Sequence, residues 1–204
     1  MCNFPGMRWC ALSLALCSVA LFACEDETTG PDGGVSFETS FEDGLDGFVA
    51  DGTDLDDPPV EWSIERSQEE ADDGVWSVRL DLENLNDAGK IWIERAFDLE
   101  PGVTYDVEVA YAFGTSDFGD INTWTIIAGV DPDSPEVVDD LTFQGSTSTG
   151  EDEDVELVWL EKAHAFTATA GANGELWVSL GVWGTFETPR TYYIDDLRIE
   201  FTPR

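Results

Sequence analysis

Trp92, Trp177 and Trp183 are the residues of this chain best suited to recognition chemistry, because each falls outside the aliphatic register of its own strand. In the segment Ile91–Leu99 the register Ile91, Ile93, Phe97, Leu99 leaves Trp92 on the opposite face beside Glu94. In Glu175–Trp183 the register Leu176, Val178, Leu180, Val182 leaves Trp177, Ser179, Gly181 and Trp183 on the other side. Indoles displayed on a sheet and spaced by small residues can stack on the apolar faces of pyranose rings, while neighbouring carboxylates and amides accept hydrogen bonds from the hydroxyls. At roughly 3.3 Å per residue, Trp177 and Trp183 lie about 20 Å apart, enough for separate subsites over a shallow floor of Ser179 and Gly181. The same pattern also fits ordinary core covered by a loop or by a second sheet. Trp124 and Trp159 are weaker candidates, because their strands are apolar on both faces.

Catalytic chemistry finds less support. The single histidine, His164, sits in Glu161-Lys162-Ala163-His164-Ala165, with no Gly-x-Ser-x-Gly elbow elsewhere. A glycosidase needs only two carboxylates, and Glu94, Asp106 and Glu108 all face away from the aliphatic side of neighbouring strands. In a chain with 44 acidic residues such coincidences are expected.

Those 44 acids stand against 9 basic residues, a formal net charge of −35, and the only lysines are Lys90 and Lys162. Nucleic acid is thereby a poor partner, since binding it requires cations that displace phosphate counterions. The charge equally opposes direct docking on anionic lipid. Acidity spread along the whole chain fits a salt-rich habitat, where counterions screen self-repulsion, and fits an acidic surface protein equally well.

The elements that must position these residues are short alternating segments separated by Gly, Asp, Asn and Pro clusters, with no convincing amphipathic helix and no visible repeat. That pattern predicts an all-β antiparallel sandwich or jelly roll over residues 35–204. Strands are expected at Val60–Glu65, Val75–Leu82, Ile91–Leu99, Val103–Phe113, Asn122–Val130, Val155–Lys162, Glu175–Trp183 and Thr191–Phe201. Weaker signals cover Val35–Phe41, Val137–Phe143 and Ala165–Ala170. Alternation places Trp76, Val78, Leu80 and Leu82 in the core, with Val103, Tyr105, Val107, Val109, Tyr111 and Phe113.

Ahead of this domain, Arg8 precedes an apolar run from Ala11 to Phe22, too short for a permanent bilayer helix and suited to a signal-peptide core. The run ends in Leu21-Phe22-Ala23-Cys24, which resembles the bacterial lipobox. The resemblance implies cleavage after residue 23 and lipidation of Cys24, with Phe22 larger than the residue usual at its position. Met7-Arg8 offers an alternative start. Residues 1–23 then read as a lipoprotein signal peptide and residues 24–34 as an acidic flexible tether, placing the domain in the cell envelope, attached to a bacterial membrane through lipid alone. Cys2, Cys10, Cys17 and Cys24 are all the cysteines present, so the mature domain has no disulfide, cysteine-ligated zinc or thiol nucleophile.

The domain opens with Phe37-Glu38-Thr39-Ser40-Phe41-Glu42-Asp43-Gly44-Leu45-Asp46-Gly47-Phe48 and closes near Tyr192-Tyr193-Ile194-Asp195-Asp196-Leu197. Between these lie Gly74-Val75-Trp76-Ser77-Val78 and Pro101-Gly102-Val103-Thr104-Tyr105. Together these segments resemble the galactose-binding-like jelly rolls, especially carbohydrate-binding modules attached to xylanases, with Phe48 in place of a tryptophan. The resemblance implies a structural calcium held by Glu42 and by Asp195 or Asp196, with Glu38 as a weaker ligand. Ile194 and Leu197 are three apart, so a bulge at Asp195-Asp196 would turn an acidic side chain toward a hard cation. A solvated acidic edge without an ion is the other reading of these residues.

The function these features favour is non-catalytic binding of a polysaccharide or glycan by Trp92, Trp177 and Trp183. A structural or protein-interaction lipoprotein, its exposed aromatics forming a protein interface, is the second reading. A glycoside hydrolase or polysaccharide lyase is the third.

Overall fold

The computed structural model describes residues 28–29, 33–83, 85–116, 124–136, 157–184 and 189–204. Cys24, the signal segment and the expected strand at Val137–Phe143 lie outside these. Among the described residues there are eleven strands: β1 (Thr28–Thr29), β2 (Val35–Thr39), β3 (Val49–Thr53), β4 (Glu61–Ser67), β5 (Ser77–Glu83), β6 (Lys90–Asp98), β7 (Thr104–Thr115), β8 (Trp124–Asp131), β9 (Val158–Thr169), β10 (Glu175–Gly184) and β11 (Pro189–Pro203).

They form two antiparallel sheets. The four-stranded sheet has the order β3-β6-β10-β8. In the seven-stranded sheet, β11 pairs along its first half with β5, which pairs with β4, and along its second half with β2, which pairs with β1. On its other side β11 pairs with β7, and β7 with β9. The register between β11 and β7 shifts between Asp195 and Arg198, which is the expected bulge at the break in alternation.

Alternation explains the rest. Val78, Leu80 and Leu82 of β5 and Tyr105, Val107, Val109, Tyr111 and Phe113 of β7 all point into the sandwich and are buried. So are Leu176, Val178, Leu180 and Val182 of β10. Aromatic edges lock the two sheets together: Phe97 of β6 meets Phe37 of β2 at 5.5 Å and Phe201 of β11 at 5.0 Å between ring centroids.

Four expectations change. Trp76 precedes β5 and is partly exposed, its ring covered by the Arg66 guanidinium at 3.9 Å, so it is not core. A strand at Val49–Thr53 appears where Asp51 and Gly52 gave no strand signal; it is an edge strand that needs little apolar content. The segments expected at Val155–Lys162 and Ala165–Ala170 are one continuous strand, β9, over its described residues. Its inward row is Leu160, Lys162, His164, Phe166 and Ala168, and the lysine and histidine break the apolar pattern that alternation relies on.

His164 reaches the buried Tyr111 hydroxyl at 3.3 Å. Desolvation, with Lys162 adding repulsion, holds its imidazole below the ordinary histidine range, while burial pushes the Tyr111 phenol up. A histidine whose folded pKa lies below its unfolded value binds its proton more readily when unfolded, so its contribution is present above about pH 6.5 and is lost on acidification. Between pH 7.5 and pH 5.5 the native chain should therefore lose stability relative to His164→Gln, read as urea midpoints; parallel pH profiles would count against this.

Candidate functional site

The outer face of the four-stranded sheet carries the three tryptophans in the register expected, as adjacent rows. Lys90, Trp183 and Thr125 stand side by side, then Trp92, Gly181 and Ile127, then Glu94, Ser179 and Gly129, then Ala96, Trp177 and Asp131. Trp177 and Trp183, at the two ends of β10, are partly exposed.

The middle of the face differs from expectation. Trp92 is fully buried, with Ile127 against it and Trp183 packed at its margin, so Trp92 is not an open stacking surface. The floor is closed as well, because Ser179 is 2 % exposed and Gly181 is buried. The physical reason is a buried carboxylate. Glu94 is 3 % exposed, accepts the Trp92 Nε1 hydrogen at 2.6 Å on one oxygen and the Ser134 hydroxyl at 2.6 Å on the other. Ser134 belongs to the segment after β8, which therefore reaches Glu94 on the outer face of the sheet. Polar atoms in such a place must be paired, and these are.

What remains open is a pair of tryptophans at either end of a rigid, covered centre. Trp183 is fixed from two directions: its Nε1 donates to the Asp87 carbonyl at 3.0 Å, and Lys90 Nζ stands 4.7 Å from its ring. Lys90 is itself held by Asp54 at 2.5 Å and by the Ala88 carbonyl at 2.6 Å. Trp177 stands between the small Ala96 and the carboxylate-bearing Asp131. Sequence reasoning missed Glu94 as the organiser and Asp131 as a neighbour; the signal available for Glu94 was only its place two residues from Trp92 on one face. Arg95 does not join this site, because its guanidinium lies over Phe37 and Phe97, at 4.2 and 4.7 Å.

Of the carboxylates of the third reading, Glu94 stands apart from the other two. Glu94 lies on the outer face of the four-stranded sheet, whereas Asp106 and Glu108 lie on β7 in the other sheet, with Asp106 bound to Arg204 at 2.6 Å and to the Thr167 hydroxyl at 2.9 Å.

The four residues implied as calcium ligands meet a different fate. Glu42 Oε1 accepts the Val75 and Trp76 N–H groups at 2.7 and 2.8 Å, and these bonds hold its carboxyl below the usual carboxylate range. Glycine suits position 74: its φ is +69°, and a Cβ there would stand 2.3 Å from that oxygen and displace the carboxylate. Asp195 is fully buried; Oδ2 accepts Asp72 N–H at 2.8 Å and Asp73 N–H at 3.1 Å, and Oδ1 accepts Asp196 N–H at 2.8 Å. Desolvation raises its pKa against the pull of those three bonds. Asp196 is exposed at the bulge with φ +44°, and Glu38 pairs with Arg198 at 2.6 Å. The Arg66 guanidinium donates to the Phe41 and Glu42 carbonyls. Among the described residues no three acidic side chains converge as a metal set would. In this arrangement the carboxylates of Glu42 and Asp195 are engaged by backbone N–H groups, and the Arg66 guanidinium is the cation at the Phe41 and Glu42 carbonyls.

No protein-family model matches the chain, and no curated protein sequence matches it either. Solved structures do. The K3 cleaved adhesin domain of the Lys-gingipain Kgp from Porphyromonas gingivalis superposes with a TM-score of 0.55 at 11 % identity, over 82 % of this chain and 99 % of that one. The fold is a jelly-roll β-sandwich. The CBM22-1 xylan-binding domain from Paenibacillus barcinonensis Xyn10C superposes at 0.46 and 14 % identity, covering 81 % and 92 % of the two chains. TmCBM61, solved with beta-1,4-galactotriose, superposes at 0.44 and 13 % identity, covering 79 % and 90 %.

If Arg66 supplies the cation at this junction, chelation with EDTA should leave the melting temperature unchanged, while Arg66→Gln should cost about 2 kcal/mol by stripping charged hydrogen bonds from two carbonyls. A calcium-dependent rise in melting temperature would contradict this account.

Proposed function

We propose that this chain is a lipid-anchored, non-catalytic glycan-binding module of the bacterial cell envelope. The observation that carries the binding is the pair of partly exposed tryptophans, Trp177 and Trp183, on the outer face of β10 around a centre fixed by Trp92, Glu94 and Ser134. Platforms already held in place lose little freedom on meeting a ligand, which favours affinity from a small contact area. Their separation of about 20 Å suits an extended polysaccharide contacted at two points. Asp131 beside Trp177 supplies an acceptor for hydroxyl groups.

The likeness to sugar-binding domains agrees with this reading without carrying it. Binding of the glycan array should fall by about tenfold in Trp177→Ala and in Trp183→Ala, measured afterwards by titration with the strongest hit. Affinities equal to that of the unaltered chain would sink the proposal.

The anchor is a separate element of the same reading, supported by the apolar run and by Leu21-Phe22-Ala23-Cys24. In a bacterial host the chain should partition with membranes and require detergent for release, whereas Cys24→Ala should appear in the soluble fraction. Membrane retention of the Cys24 variant would show that something other than lipid on Cys24 holds it.

A further inference from the structure

The opposite side of the sandwich carries a second aromatic arrangement. Gly114 of β7 lies between Trp159 of β9 and Tyr193 of β11, and the three share the outer face of the seven-stranded sheet. The benzo ring of Trp159 rests over this glycine. A Cβ added to Gly114 would stand 2.9 Å from Cζ3 and 3.1 Å from Cε3 and Cη2, so only glycine leaves the indole room to settle there. The indole is thus seated against bare backbone on one of its sides. Trp159 is partly exposed, and its ring centroid is 6.2 Å from that of Tyr193, whose own hydroxyl approaches Glu69 at 3.5 Å.

Polar groups continue from this pair in an ordered row. About 7 Å further along the strands, Ser63, Asp81 and Thr191 stand side by side on β4, β5 and β11. Thr191 donates its hydroxyl hydrogen to Asp81 Oδ1 at 2.7 Å, and Arg79 binds the same oxygen at 2.9 Å, so the carboxylate is fixed in position. With Ser116 at the end of β7, these side chains line an open cleft of about 730 Å³. Its charge is one-sided: Glu61, Asp81 and Glu83 line it, against Arg190.

We propose that this face is a second sugar-binding surface, in which a pyranose of a neutral polysaccharide stacks on Trp159 and its neighbours along the chain bind through their hydroxyls to Ser63, Asp81 and Thr191. Three carboxylates in one cleft oppose uronic acids and sulfated sugars, whereas neutral hydroxyls are donors that match carboxylate acceptors. The inference rests on the reading of the domain as a glycan module, but it uses none of the residues of the Trp177 and Trp183 face. A module with binding surfaces on both sheets can hold two polysaccharide strands, or two stretches of one, and gains avidity where both engage.

The test uses the chain with xylan, mixed-linkage β-glucan, mannan and galactan as probes and polygalacturonate as the charged control, in affinity electrophoresis and calorimetry. Neutral polysaccharide binding should persist in the Trp177→Ala, Trp183→Ala double variant and fall about tenfold or more when Trp159→Ala is added. Gly114→Ala should weaken it too, because the new methyl displaces the indole, and Trp159→Phe, which keeps a smaller ring and protects the fold, should lie between. Polygalacturonate should not bind. If the double variant alone abolishes binding while the Trp159 and Gly114 variants match the unaltered chain, the second surface is wrong and the first stands. If only the Trp159 and Gly114 variants lose binding, the second stands and the first fails. An unaltered chain that binds no neutral polysaccharide overturns both.

Discussion

The split pairing of β11 is the constraint on which the rest of this sandwich depends. One strand of fifteen residues serves β5 with its first half and β2 with its second, and holds β7 along its other side. A strand cannot change partners without a local change in direction, and the bulge at Asp195 is where that change occurs. The bulge leaves backbone and a carboxylate beneath the loop at residues 72–73, in a place where an unpaired charge would cost several kcal/mol. Three N–H groups from that loop and from Asp196 satisfy the carboxylate. The loop is thereby tied to the closing strand, and Glu42 ties its other end, at Val75 and Trp76, to the opening segment.

Within this frame the two outer faces have different characters for a common reason, namely how a buried or half-buried carboxylate is satisfied. On the four-stranded sheet, Glu94 sits in the centre and draws the Trp92 indole and the Ser134 hydroxyl onto itself, which closes the middle and leaves tryptophans at the ends. On the seven-stranded sheet, Asp81 is held by Thr191 and Arg79 from within its own face, and the strands beside it remain uncovered as a cleft. The same residue type therefore closes one surface and keeps the other open, according to whether its partners come from a returning segment or from adjacent strands.

Much of this architecture is legible in the amino-acid sequence, because alternation at a period of two directly reports which side of a sheet is dry. The core rows of β5, β7 and β10 and the position of the bulge follow from it. Alternation reports nothing about what crosses the outside of a sheet, so the burial of Trp92 and Glu94 had no local signal: the Ser134 hydroxyl that binds Glu94 is forty positions from it. It fails too where inward positions are polar, as at Lys162 and His164 of β9, and at an edge strand such as Val49–Thr53. The acidic residues near both ends of the domain were readable as a junction, but not the way its carboxylates and carbonyls are paired. That required seeing Arg66, some 24 positions from Glu42, reach the carbonyls beside it. Trp159 was discounted because its strand is apolar on both faces; a glycine on the neighbouring strand, not anything within β9, is what seats its ring on the surface.

The topology also bears on the proposed attachment through Cys24. Thr28 and Thr29 pair with β2, at the edge of the seven-stranded sheet remote from β9, and alongside the second half of β11. Trp159 lies at the opposite edge, level with Tyr193 in the first half of β11. At the usual spacings this is about 19 Å across the strands and about 20 Å along them. A chain held through Cys24 would thus leave the domain at one corner of the sheet, with Trp159 toward the diagonally opposite corner. The short acidic tether carries Glu25, Asp26, Glu27 and Asp32, so its charge, like that of the domain, opposes adhesion to anionic headgroups. Under the proposed function, attachment through Cys24 and recognition by the outer faces would be separated by geometry, because the point where the chain leaves the sheet and the Trp159 corner are diagonally opposed.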